Sequence, residues 1–201
     1  MTDDTTLEKI KDCAIKLALN EGVFNPSTIE IATAANVSRT LLHYYFKDKK
    51  EIHEIICSKA MELYNLKMQP LFTGSDTLYS RIILFAHNAF AISVKYPYLE
   101  TFLITGMKYN PDLKCFFYVH KSKINALLEE IKNFAPPESL QNLQAEDFLM
   151  QLLSVVNLPT HSLQHIFPIA EYRMQCEVFT LHYKELAIKF IEESIERLGL
   201  K

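Results

Sequence analysis

The sequence predicts an all-α protein. Three observations lead there: only four glycines in 201 residues, little strict apolar–polar alternation, and long stretches in which apolar residues recur at helical spacing. Apolar residues make up 49% of the chain, enough to bury a sizeable core, and the length suits one domain or two. The formal net charge of −3 gives no broad basic surface. Any nucleic-acid contact must therefore rest on a local patch.

Taken in order, the first helix is predicted over residues 6–21, with Leu7, Ile10, Ala14, Leu17 and Ala18 on one face and Gly22 as its C-cap. Val23-Phe24 packs beneath the recognition segment, and Asn25-Pro26 breaks the chain. Ser27 with Glu30 forms an S-x-x-E capping box that opens a second helix, whose small apolar face is Ile29, Ile31, Ala32 and Ala35. Asn36 suits the left-handed residue that ends it, with the apolar Val37 next. Ser38 is a second N-cap, opening a third helix from Arg39 to about Tyr45. Asp48 with Glu51 is a third start. Three starts within about twenty-five residues, joined by tight turns, make a helix-turn-helix pattern.

The fourth helix runs from Asp48 to about Met68 with Ile52, Ile55, Ile56 and Leu63 buried, and Pro70 stops it. It joins the recognition segment to the rest of the chain and is the natural mechanical link between them. Thr73-Gly74-Ser75 is a loop, and Asp76 caps a long fifth helix to Tyr96. Pro97 separates it from a short sixth helix, which ends near Thr105 and Gly106. Asn110-Pro111-Asp112 starts the seventh, which ends before Pro136-Pro137. The eighth spans residues 145–157, residues 158–169 are irregular around Pro159 and Pro168, and the ninth spans 171–198.

The segment from Ser27 to Lys49 resembles the DNA-binding domain of the TetR family of transcriptional regulators. The resemblance rests on Ser27-Thr28, Ile31-Ala32, Ala35-Asn36-Val37-Ser38, Leu42-His43-Tyr44-Tyr45-Phe46 and Lys49, at the spacing of the family pattern. It covers roughly residues 5–56; beyond residue 60 it is architectural only. Thr40 departs from the Gly or Ala common there, making the base-facing surface bulkier. The resemblance implies a helix-turn-helix domain over 1–50 and a helical effector-binding and dimerisation domain over 51–201.

Arg39, Thr40 and His43 fall on the outward face of the third helix, where side chains of such helices reach base edges. Leu42 and Phe46 point to the core. Ser38 caps this helix, and by the resemblance Thr28, Tyr44, Tyr45 and Lys49 hold phosphates. Residues 1–56 carry seven Lys/Arg against nine Asp/Glu, so the positive patch is only Arg39, Lys47, Lys49 and Lys50.

Two apolar stripes, Phe148, Leu149, Leu152, Leu153 and Val156, then Phe179, Tyr183, Leu186, Phe190, Ile191, Ile195 and Leu198, suit either the chain's own core or a two-fold four-helix interface. The resemblance implies the homodimer. The middle of the chain is rich in aromatic and Met residues. Phe85, His87, Phe102, Met107, Tyr109, Phe116, Phe117 and His120 are candidates for an effector pocket, or for ordinary core.

Other chemistry finds little support. The four cysteines form no CxxC pair, and the glycines make neither a GxGxxG nor a P-loop. His161 and His165 have i, i+4 spacing but no evident third ligand. No enzyme, cofactor or metal is expected. The longest apolar window is too short for a membrane span, and the acidic N-terminus lacks a signal peptide's features, so the cytoplasm is the expected compartment. Three readings are weighed: a homodimeric repressor released from a near-palindromic DNA operator by a small molecule, a DNA-binding protein of the same fold without an effector, regulated by a protein partner, or a helical small-molecule-binding or catalytic module that has lost DNA binding.

Overall fold

The computed structural model describes residues 2–73, 76–134, 145–166 and 169–199, and among them the side chains of 5–73, 76–116, 118–133, 145–157 and 181–199. The described residues form nine helices and no strand: α1 (Thr2–Leu19), α2 (Thr28–Ala35), α3 (Arg39–Tyr45), α4 (Lys49–Phe72), α5 (Leu78–Lys95), α6 (Leu99–Gly106), α7 (Pro111–Phe134), α8 (Ala145–Ile166) and α9 (Ile169–Arg197).

Boundaries depart from expectation mainly at prolines. Pro70 does not stop α4, which continues to Phe72, and α8 continues through Pro159 to Ile166, where irregular chain was expected. A proline removes one intrahelical bond and crowds one carbonyl, at a cost of ~3 kcal/mol, which flanking packing can offset. Pro70 itself is buried, and so is Leu71 beyond it. The cap of α5 is also shifted by one residue. The Ser80 N–H donates to Thr77 Oγ1 at 3.2 Å, so Thr77 holds the place expected of Asp76.

The chain divides into two compact units, residues 1–64 with 96–115, and residues 65–95 with 116–201. In the first, α1 buries Ile10, Ala14, Ala18 and Leu19 completely, and α2 adds Ile31, Ala32 and Ala35. Helix α6 joins this unit through Leu99, Phe102 and Leu103, and the Tyr98 N–H donates to the Leu19 carbonyl at 3.1 Å. Gly22 is required twice over. Its φ of +75° is left-handed, and an added Cβ would stand 2.9 Å from the Tyr98 ring.

The second unit is built around α5, which buries Leu78, Ile82, Phe85, Ala86, Ala89 and Phe90 against α8 and α9. Helix α8 supplies Phe148, Leu149, Leu152 and Val156, and α9 supplies Ala187, Ile191 and Ile195, with Leu198 just beyond its end. Each such Val, Leu, Ile or Phe side chain contributes ~1.5–3 kcal/mol on leaving water. Polar ties add specificity. Arg81 grips both oxygens of Glu130, at 2.7 and 3.0 Å, and donates to the Leu71 carbonyl near the end of α4. Lys67, 1% exposed, donates to Ser93 Oγ at 2.9 Å and to Asn157 Oδ1.

Candidate nucleic-acid interface

The recognition segment is held by its caps. Ser27 and Glu30 form the reciprocal box: Ser27 N–H donates to Glu30 Oε2 at 2.7 Å, and Glu30 N–H to Ser27 Oγ at 3.2 Å. The Ser27 N–H first, and the Ser27 hydroxyl next, hold the Glu30 carboxyl below the usual range, with the Lys49 charge adding to them. Asn36 takes the left-handed conformation at φ 52°, its N–H reaching back to the α2 carbonyls. The Leu41 N–H then donates to Ser38 Oγ at 3.1 Å, so α3 starts one residue after the serine.

The start of α4 differs in one detail from the expected box. Asp48 Oδ1 accepts from Lys50 and Glu51 N–H at 2.8 and 3.0 Å, but Glu51 reaches back to the Lys47 N–H at 2.9 Å, one residue before the cap. That bond fixes the chain between α3 and α4.

This framework leaves α3 attached by one fully buried side chain, Leu42, with Phe46 buried at its C-cap. Arg39, Thr40, His43 and Tyr44 are exposed, and Tyr44 meets Tyr45 edge-on at 5.2 Å between ring centroids. Ser38 is exposed at the helix start, while Thr28 and Tyr45 are half-buried. Lys49 is half-buried too, and its ammonium donates to the Asn25 carbonyl at 3.0 Å, tying the first turn of α4 to the chain before α2. Chemically, the surface offers a guanidinium fork, a hydroxyl and an imidazole on successive turns of a rigid helix, a set that can read base edges.

The eight effector-pocket candidates divide between the two units. Phe102, Met107 and Tyr109 belong to the first unit, and Phe85, His87, Phe116 and His120 to the second. Within the second, Phe85 is fully buried, His87 is exposed, and His120, 2% exposed, lies 4.4 Å from the Phe116 ring and hydrogen-bonds the Phe116 carbonyl through Nδ1 at 3.1 Å. Burial lowers the His120 pKa against the smaller opposing effect of that bond. The Phe117 side chain lies outside the described set.

The seven interface candidates separate as well. Phe148, Leu152 and Val156 are buried within the single chain, on a helix that packs against α5 and α9. Tyr183 is half-buried and donates to the Val155 carbonyl at 3.1 Å. Leu186 and Phe190, one turn apart on α9, stand 52% and 45% exposed. Phe179 lies outside the described side chains, as do His161 and His165. Among the described residues no group of three His, Cys, Asp or Glu is placed to hold a metal, and no helix is long and apolar enough to cross a membrane.

Two features escape the sequence pattern. Lys67 falls in register with Ile52, Ile56, Ala60 and Leu63 on the buried stripe of α4, and a charged residue at a core position is the signal that could have marked it. The other is a cleft of about 690 Å³ lined by Phe24, His53, Phe102, Tyr109, Asn110 and Asp112 among others. Its walls come from segments far apart in sequence, so no local pattern announces it.

No family model matches the sequence, and no curated protein matches it. Solved structures do. A Clostridium perfringens protein described as a candidate fatty acid metabolism regulator superposes with a TM-score of 0.60 at 17% identity, over 96% of this chain and 98% of that one. A candidate TetR-family transcriptional regulator from Mesorhizobium loti superposes with a TM-score of 0.55 at 14% identity, over 98% of each chain. The all-helical fold is thus similar to that of TetR-type regulators.

Proposed function

We propose that the chain is a sequence-specific DNA-binding transcriptional regulator of the TetR type, acting as a homodimeric repressor on a near-palindromic operator. The observation that carries this reading is the outward face of α3. A capped, seven-residue helix fastened by Leu42 presents Arg39, Thr40 and His43 to solvent. Arg39 suits bidentate bonding to guanine, and Thr40 suits a thymine methyl or a hydrogen bond. Thr28, Ser38, Tyr44, Tyr45 and Lys49 surround this face and suit phosphate contacts that set register. The Lys49 tie to Asn25 makes its share of the phosphate contact smaller than that of a free lysine.

Pairing through α9 is supported by the exposed Leu186 and Phe190, one turn apart. An isologous two-fold contact would present two copies of α3 to half-sites about one helical turn or more apart. Release by a small molecule is then a population shift: an effector held in the second unit favours a spacing of the two heads that misfits the operator. Helix α4, which supplies residues to both units, is the element suited to carry that change.

Selection of bound sequences from random double-stranded DNA with the full chain tests the reading. Enrichment of a two-fold symmetric site, with sedimentation at twice the 23.3 kDa chain mass, is expected. A chain that enriches no sequence at low salt and sediments as a monomer at micromolar concentration would overturn it.

A further inference from the structure

The cleft of about 690 Å³ lies wholly within the first unit, between the first turns of α4 and the turn from α6 into α7. That volume is in the range of small-molecule pockets. Its floor is aromatic: Phe24 meets Phe102 edge-on at 6.3 Å, and His53 lies tilted against Phe102 at 5.8 Å. Tyr109, 79% exposed, stands at the rim.

Most polar groups of the lining are already engaged. Asn110 Nδ2 donates to Cys57 Sγ at 3.4 Å while its Oδ1 accepts the Asp112 N–H at 2.9 Å. The Thr105 hydroxyl donates to the Thr101 carbonyl at 2.6 Å, and Lys50 pairs with Glu54 at 3.5 Å. The His53 ring nitrogens and the Asp112 carboxylate differ: among the described residues neither has a hydrogen bond or ion pair. Burial, then the Lys49 charge, lowers the His53 pKa, so at neutral pH the ring offers one donor and one acceptor nitrogen. With Lys50 and Glu54 cancelling, Asp112 leaves the lining one negative charge.

We propose that this cleft is a binding site for a small planar aromatic amine, its ring against Phe24, Phe102 and Tyr109 and its N–H groups on His53 and Asp112. The aromatic walls supply stacking area, the unpartnered imidazole fixes orientation, and the carboxylate selects a cation or neutral donor over an anion.

Titration calorimetry of the full chain with 4-aminoquinoline and 2-aminoquinoline, against 1-naphthoic acid as a ring system of similar size and opposite charge, tests it without DNA. Failure there leaves the regulator reading untouched. Expected are dissociation constants below ~1 mM for the amines and binding at least ~10-fold weaker for the acid. His53→Leu, which keeps the packing against Phe102, is expected to weaken amine binding ~5- to 10-fold, a loss typical of one hydrogen bond. Tyr109→Ser, at an exposed position that folding does not depend on, is expected to weaken both amines several-fold. No saturation by either amine, acid binding as tight as amine binding, or amine binding unchanged in both variants would overturn the proposal.

Discussion

Helices α3 and α5 are opposite solutions to holding a helix in place. Helix α3 has seven residues and buries Leu42 alone, so its position comes from hydrogen-bonded ends: Ser38 at its start, the Ser27–Glu30 box and Asn36 before it, and the Glu51–Lys47 bond after it. Helix α5 has eighteen residues, seven of them buried, and its position comes from packing against α8 and α9. A helix held by its ends keeps its faces free for a ligand. A helix held by its faces gives them up to the core.

Phe85→Ala, in the centre of α5, is expected to cost ~3–5 kcal/mol in urea denaturation through the cavity it leaves. Leu42→Ala is expected to cost ~2–5 kcal/mol and to abolish DNA binding at temperatures where the helical signal of the rest persists. If Leu42→Ala leaves DNA affinity intact, α3 is held by more than its anchor and caps. Ser27→Ala removes a cap rather than a core contact, and ~1 kcal/mol is expected in the same assay. A loss as large as that of Leu42→Ala would mean the box acts beyond its own helix start.

The smallest effect is a pH dependence shared by both units. The pKa values of His53 and His120 are lowered by burial in the folded state, so the unfolded chain takes up protons first as pH falls. Stability from these groups is complete above their ordinary value near 6.5 and declines as pH drops through it toward the depressed folded values. Thermal unfolding at pH 7.5 and 5.0 should show the fall, and His120→Phe should flatten it. An identical slope in that variant would remove His120 from the account.

The same contrast explains what the residues alone disclose. Caps are local signals, and Ser27-x-x-Glu30, Asn36 and Ser38 sit where their residue types place them, so the head is legible almost residue by residue. The outward set of Arg39, Thr40 and His43 comes from Leu42 and Phe46 facing inward. In the second unit periodicity marks the helices but not their partners. The apolar stripe of α9 is broader in sequence than in the fold: Ile191, Ile195 and Leu198 turn to the core, while Leu186 and Phe190 stay at the surface. Pro70 looks like a break because a local rule counts the lost bond and not the burial of Pro70 and Leu71 that offsets it. The docking of α6 on α1, through Tyr98 and Gly22, needs residues seventy-six positions apart and leaves no local trace.

Base reading by the exposed face of α3 is measured by fluorescence anisotropy of the wild type and Arg39→Ala on the selected operator and on a scrambled duplex. A loss of ~1–3 kcal/mol on the operator, with little change on the scrambled duplex and an unchanged Tm, is the predicted result. Equal operator affinity for the two proteins would contradict it.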